Sequence, residues 1–444
     1  MVASGSVLGM EKAVFFLVLA AFAVRLAAVP LVHQAGYTSD EREYVAIAGR
    51  IISGEGFVDS NGFRSVRAPL YPALLAVVFA VSGASLSLAH VLGCAIGSIA
   101  IYQGYVLAMR VWGDRTAALA AAAAMCVHPG LVIYSTLLQT EILYVCLLLA
   151  ALTAGYRLVG GGKGAWVLGA ASGFASLTRA VFVGFFPLVL AAFWWMKEER
   201  SAADVRNLLV AAAVCLFILM PWALRNQQIH GSLIPVSSGG GGSLLTGNNP
   251  YATGTWRTEN GFEQWFRERA REKGIEDPSA LGEAAANDLS GVIAREYMRD
   301  HPVQTLGLAL RKSHIFWIFP ITHSDSYLPV QAVAVGADAL LLLGAALGAV
   351  AGWKFRRQLL PLFLAMVFFW LVQAVLHAEA RFRLPVVPLL CVLFGYGAAT
   401  LVSRSRLKET FGLPGPRVVF CSCAAGIIAV YVFTGWMFLR GMIH

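Results

Sequence analysis

Apolar runs of about 20 residues recur along this chain, and that is the length a helix needs to cross a hydrocarbon layer. The first run, Ala13 to Leu31, follows Lys12. It is longer than a signal-peptide core and has no A-x-A cleavage site, so it is expected to remain as a span. The runs do not alternate, as the roughly ten-residue strands of a membrane barrel would. Hydrophobic residues make up 58% of the 444 and charged ones 13%, against about 25% charged in an ordinary soluble domain. These features predict an all-α polytopic membrane protein.

Eleven spans are predicted, at 12–32, 86–109, 115–134, 141–158, 164–178, 180–196, 207–226, 328–352, 358–376, 384–402 and 417–439. The positive-inside rule tests their alternation. With a cytoplasmic N-terminus, the cytoplasmic loops carry Arg110 and Arg115, Arg157 and Lys163, then Lys197, Arg200 and Arg206. Lys354, Arg356, Arg357, Arg404, Arg406, Lys408 and Arg417 follow in the later ones. Topology therefore accounts for much of the +9 net charge, and no nucleic-acid motif accompanies it. Arg179 marks a tight outer turn between the fifth and sixth spans. All seven cysteines fall inside predicted spans, as buried free thiols do, and C-x-C at 421–423 is not a zinc spacing.

Three regions follow. Residues 1–226 form an N-terminal transmembrane module with a long first outer loop, 33–85. Residues 227–327 form an extracytoplasmic region, and 328–444 hold the last spans. Pro69–Gly83 is too short for a confident span and reads as an interfacial or re-entrant helix. Helical patterns at Phe262–Lys273 and Ser279–Asp300 are polar, and Pro302–Pro320 reads as a helix on the membrane surface. The glycine run 239–242 lacks the Lys-Ser/Thr of a phosphate loop.

Charged residues gather on the outer side. Asp40 and Glu41 follow the first span, with Arg64 and Arg67 later in the same loop. Glu141 opens the fourth span, Arg225 and Asn226 end the seventh, and "HAEARFRLP" supplies His377, Glu379, Arg381 and Arg383. In a helix starting near Ser39, Asp40, Tyr44, Ile47 and Ile51 fall within about 40° of one another. The acids thus top an apolar face. Thr38-x-x-Glu41 is also a capping box, which explains acids here without chemistry; one residue can cap while its neighbour reacts. Glu141 as a helix opener, and Arg381 and Arg383 as snorkelling arginines, have similarly plain explanations. Arg25 and Asp338 lie inside spans, where charge is costly and usually faces the bundle interior. His377-x-Glu379, or His33 with Asp40 or Glu41, offers ligand types for a divalent metal.

At these residues the chain resembles a known family. "DEREYVAIAGRIISGEGF" is similar to the first-loop motif of the GT-C glycosyltransferases. "RAPLYPALLAV", "SLTRA", "PWALRNQQIHGSLIPVSSGGGGSLLTGNNPYATG", "HPVQTLGLALRKSHIFW" and "EARFRLPVVPLL" extend the resemblance over most of the chain. It is strongest to glycosyltransferase family 39, the protein O-mannosyltransferases and their bacterial relatives, with the lipid A aminoarabinose transferases as a related branch. The MIR domains of the eukaryotic members have no counterpart, which points to a prokaryotic enzyme. The resemblance implies a GT-C fold, with interfacial helices in the first outer loop and a long outer loop after the seventh span. It also implies a polyprenyl-phosphate (undecaprenyl-phosphate) sugar donor, and a glycan, lipid or protein acceptor outside the cytoplasm.

Carried over by residue, Asp40 matches the family's catalytic aspartate, Glu41 its neighbour, and Glu141 an acidic position in the next outer loop. Arg67 and Arg381 are candidates to hold the donor phosphate, with Arg64, Arg383 and Arg225 as further ones. No cofactor is expected to be required. A divalent metal stays open, because aminoarabinose transferases can show one near their site. The expected chemistry is inverting transfer in the plasma membrane, with Asp40 as general base. A lipid-linked saccharide polymerase or ligase, and a flippase-type transporter, are the rival readings.

Overall fold

In the computed structural model, residues 12–318, 328–411 and 418–427 are described. All the regular elements there are helical. In chain order they are α1 (Lys12–Val32), α2 (Ser39–Ile52), α3 (Leu70–Ser82), α4 (Leu86–Trp112), α5 (Arg115–Val127), α6 (Pro129–Thr136), α7 (Glu141–Val159), α8 (Ala165–Thr178) and α9 (Val181–Met196). There follow α10 (Ala202–His230), α11 (Gly240–Gly247), α12 (Phe262–Glu272), α13 (Glu283–Asp300) and α14 (Pro302–Ile318). The last group is α15 (Leu328–Ala351), α16 (Arg356–Val375), α17 (Val387–Val402) and α18 (Arg404–Phe411).

The structure is that of a multi-pass membrane protein, and among the described residues fewer helices than the eleven expected spans are long and apolar enough to cross unaided. Among the described residues six helices are long and apolar enough to cross: α1, α4, α7, α10, α15 and α16. The bent pair α5–α6 makes a seventh. The helices found at three further expected spans, α8, α9 and α17, have 14, 16 and 16 residues. At 1.5 Å per residue they reach about 21–24 Å, short of a core about 30 Å thick. Of the expected last span, 417–439, only 418–427 lie within the described residues.

The bend between α5 and α6 is 55°. Pro129 has no amide hydrogen and pushes the preceding residue out of the helical region. His128 is accordingly extended, at φ −63° and ψ 120°. Arg25, fully buried, answers the polar groups near that break. Its guanidinium reaches the carbonyls of Met125 and Cys126 at 3.4 Å, that of Ala21 at 3.2 Å and the Ser135 hydroxyl at 3.1 Å. The intramembrane cation is thus held by backbone oxygens, as its cost in lipid requires.

Small residues let the helices approach closely. A Cβ on Gly348 of α15 would lie 1.8 Å from the Leu393 carbonyl of α17. At the functional end, a Cβ on Gly247 would lie 2.0 Å from the Leu376 carbonyl. That contact seats the end of α11 against the segment leading from α16 to the arginine turn. The expected polar helices appear as α12 and α13, which share a small core with α11 through Leu245, Ala270, Leu289 and Ile293. The helix at 69–83 is α3, packed on α2 through Tyr44, Tyr71, Leu75 and Phe79. α14 exposes Val303, Leu306 and Leu310 along one side, an apolar face suited to lipid.

Candidate active site

Six charged residues meet where α1 ends and α4, α7, α9 and α17 begin. α2 presents the first. Its N-cap Thr38 and Glu41 form the expected capping box. Glu41 is fully buried, and both its oxygens are engaged. Oε1 accepts from His33 Nε2 and the Leu138 amide, each at 2.9 Å. Oε2 accepts from the Thr38 amide at 2.9 Å and its hydroxyl at 3.0 Å. Burial would raise the Glu41 pKa, but these donors outweigh it and the net shift is downward. Glu41 therefore fixes α2 against α1 and the 137–140 segment.

With Glu41 turned inward, Asp40 is left partly exposed beside it. Its Oδ1 lies 2.9 Å from Arg67 Nη2, and its Oδ2 lies 2.6 Å from Arg381 Nη1. Burial opposes ionisation, yet the two guanidiniums prevail and hold Asp40 below the ordinary carboxylate range. Arg67 lies over the Tyr44 ring, 4.9 Å from its centroid.

Arg381 belongs to a one-turn 3-10 helix, Ala380–Arg383, between α16 and α17. Its Nε is 2.5 Å from Glu379 Oε2 and 3.9 Å from Glu141 Oε1. Glu141 is also 3.6 Å from Arg179 Nη1. Phe382 carries Arg179 and Arg381 near its ring, at 4.9 and 5.4 Å. Three carboxylates (Asp40, Glu141, Glu379) and three guanidiniums (Arg67, Arg179, Arg381) so form one network, neutral when all are ionised. Burial pushes the Glu379 pKa up against the pull of Arg381, with Asp40 and Glu141 adding to the rise. Glu379 Oε1 is buried without a hydrogen-bond partner among the described residues. One acid is held more acidic and its neighbour less so, a separation typical of sites that move protons.

Of the residues singled out from the sequence, Asp40, Glu141, Glu379, Arg67 and Arg381 come together. Glu41 adjoins them as the cap. The other three arginines do not join the cluster. The Arg64 side chain is exposed, and its backbone binds Glu283 and Arg225. Arg225 stitches the first long loop to α10, donating to the carbonyls of Arg64 at 2.8 Å and Phe57 at 3.2 Å. It also stacks on Trp222. Arg383 turns the opposite way from Arg381, into a buried pair with Asp338. Arg179 and Gln139 were missed as site residues. Gln139 bridges Thr38 and Arg381, at 2.9 and 3.4 Å. One signal for Arg179 was available: it is a basic residue in a loop that the charge rule assigns to the non-basic side.

The metal combinations singled out are committed elsewhere. His33 bonds Glu41, Glu379 pairs with Arg381, and His377 Nδ1 lies 3.5 Å from the Ser243 carbonyl. No group of three or more metal-binding side chains converges among the described residues.

Residues 66–224 match the model of a family described as dolichyl-phosphate-mannose-protein mannosyltransferase. The undecaprenyl phosphate-alpha-4-amino-4-deoxy-L-arabinose arabinosyl transferase of Pseudomonas aeruginosa strain UCBPP-PA14 is 28% identical over 209 residues. That alignment covers 44% of this chain and 37% of the relative, so the chain spans little more than a third of that relative's length. In structure, the apo oligosaccharyltransferase of Archaeoglobus fulgidus superposes with a TM-score of 0.56 at 15% identity, over 95% of this chain and 55% of that one. The chain has the GT-C glycosyltransferase fold. The same archaeal enzyme, solved with an inhibitory peptide and a dolichol-phosphate, matches this GT-C chain at a TM-score of 0.53 and 16% identity, over 94% of this chain and 55% of that one. Over part of its length the GT-C chain is thus similar to a transferase named for an undecaprenyl-phosphate-linked sugar.

Proposed function

We propose that this protein transfers a sugar from a polyprenyl-phosphate donor to an acceptor on the extracytoplasmic side of the plasma membrane. The observation that carries the reading is Asp40 held at once by Arg67 and Arg381. A guanidinium pair at the end of a membrane bundle suits a lipid phosphate, because arginine binds phosphate oxygens in a planar, multidentate way. Arg179, near Glu141 and Phe382, is the third cation available. The basic short loops at the opposite end support this orientation, because such loops tend to be retained in the cytoplasm. Eleven passes remain the topology we favour, with α8, α9 and α17 as short ones.

In the resting protein Asp40 occupies the arginines that the donor phosphate needs. An incoming phosphate draws Arg67 and Arg381 onto itself and releases the carboxylate, which then becomes a stronger base. Asp40 takes the proton of the acceptor hydroxyl, whose oxygen forms a bond to the anomeric carbon. The bond from that carbon to the phosphate oxygen breaks on the opposite face, and the lipid phosphate leaves with the electron pair. The result is inversion. The arginines stabilise the charge growing on the leaving phosphate. General-base assistance of this kind is worth about 10²–10⁴-fold in rate.

The names of the relatives suggest which donors to try first. Purified protein in liposomes, given undecaprenyl phosphate carrying labelled 4-amino-4-deoxyarabinose or mannose, should move label from the donor lipid to a lipid, glycan or protein fraction of an envelope extract. Donor lipid crossing the bilayer with its label still attached would instead support a flippase.

A further inference from the structure

Arg381 and Arg383 share one short turn and point apart. Arg381 faces Asp40 and Glu379. Arg383, only 2% exposed, donates to the Phe316 carbonyl near the end of α14 at 2.8 Å and pairs with Asp338 of α15 at 2.5 Å. The other Asp338 oxygen lies 3.0 Å from Nε2 of His128, the residue at the α5–α6 bend. A single buried carboxylate therefore ties the turn to α15 and the α5–α6 hinge, while α14 grips Arg383 from the side. The entry to the turn is gripped as well. Lys312 of α14, fully buried, bonds the Val375 carbonyl at 3.0 Å and Asn248 Oδ1 at 3.1 Å.

Stability alone gives little reason for such a pair. Desolvating two charges costs several kcal/mol, and well-packed apolar residues of similar volume often serve as well or better. What an ion pair adds is a fixed direction. Two residues away, the Arg381 guanidinium must meet phosphate oxygens, and a misplacement of about 1 Å in such a site is expensive.

We propose that Asp338 is a positioning residue: acting through Arg383, it holds the 380–383 turn so that Arg381 is presented to the donor phosphate. This rests on the reading of Arg381 as a phosphate partner. The main test is the paired replacement Asp338→Leu with Arg383→Met, which removes both buried charges together; Asp338→Asn is the milder second variant. Two quantities are measured in nanodiscs: hydrogen exchange of the Phe382, Leu384 and Val386 amides, which bond within the turn, and affinity for undecaprenyl phosphate. The double variant should keep its melting temperature, exchange these amides at least about tenfold faster and bind the lipid at least about tenfold more weakly.

Unchanged exchange would overturn the anchor, and faster exchange with unchanged affinity would overturn the positioning role. If the double variant does not fold, Asp338→Asn decides by the same two readouts. Faster exchange in variants of a wild-type protein that does not bind the lipid would refute the donor reading and leave the anchor standing.

Discussion

Asp40 bridges Arg67 of the first long loop and Arg381 of the turn before α17, using one carboxylate oxygen for each. The residues are 27 and 341 positions away in sequence. On the proposed function, this bridge makes the carboxylate an internal stand-in for the donor phosphate. The two guanidiniums also hold the Asp40 pKa down, so on that reading it is a poor base until the phosphate takes the arginines.

Arg225 and Arg381 should separate cleanly on substitution. Arg225→Ala removes bonds to the Arg64 and Phe57 carbonyls, each worth about 1 kcal/mol net. It should lower the melting temperature of the detergent-solubilised protein and leave affinity for undecaprenyl phosphate within about twofold once folded, because Arg225 lies outside the cluster. Arg381→Ala should weaken that affinity by at least about tenfold, near 1.4 kcal/mol. Lipid titration with a thermal melt on each variant checks both, and equal loss of affinity in the two would remove the distinction.

Glu379 should make lipid-phosphate binding depend on pH. Its pKa is raised by burial, so it becomes ionised only above the ordinary glutamate range. While protonated, it leaves Arg381 with one competing carboxylate fewer. Binding attributable to Arg381 should therefore weaken as pH rises through the Glu379 pKa. Glu379→Gln should flatten that part of the profile and bind more tightly than wild type at pH 8. The difference between the two titrations isolates this effect from ionisation of the phosphate itself, and superimposable profiles would rule it out.

The His33–Glu41 pair should give stability its own pH window. For Glu41, burial is outweighed by donors and the folded pKa falls below 4.5. Its contribution is present above 4.5 and is lost as pH falls through the depressed value. For His33, burial is outweighed by the bond to Glu41 and the folded pKa rises above 6.5. That contribution is complete below 6.5 and fades as pH rises through the raised value. Glu41→Gln should thus lose most melting temperature, relative to wild type, between pH 4.5 and 6.5. A difference that stays flat from pH 4 to 9 would contradict the assignment.

Local signals were readable from the sequence, and directions were not. The α2 cap was legible because Thr38-x-x-Glu41 states it within four residues, and the same box identified which acid stays free. Long apolar runs located α1, α4, α7, α10, α15 and α16. The bounds of α8 and α9 were legible to within one residue and the start of α17 to within three; the larger miss arises because apolar residues flanking a helix cannot be told from apolar residues within it. Arg381 and Arg383 are the same residue type two positions apart. Only the 3-10 turn, with Asp338 waiting on one side, sends them opposite ways. Arg225 looked like a site cation because it ends a span at the right depth. Its partners are carbonyls of a loop some 160 residues earlier, which periodicity cannot reveal.

The central claim is that Asp40 and the donor phosphate compete for the same two arginines. Affinity of wild type and Asp40→Asn for undecaprenyl phosphate, measured side by side in nanodiscs at pH 7, tests it most directly. Removing the internal anion should tighten binding by about tenfold, while sugar transfer falls by at least about a hundredfold. Weaker binding by Asp40→Asn in a folded preparation would contradict the account.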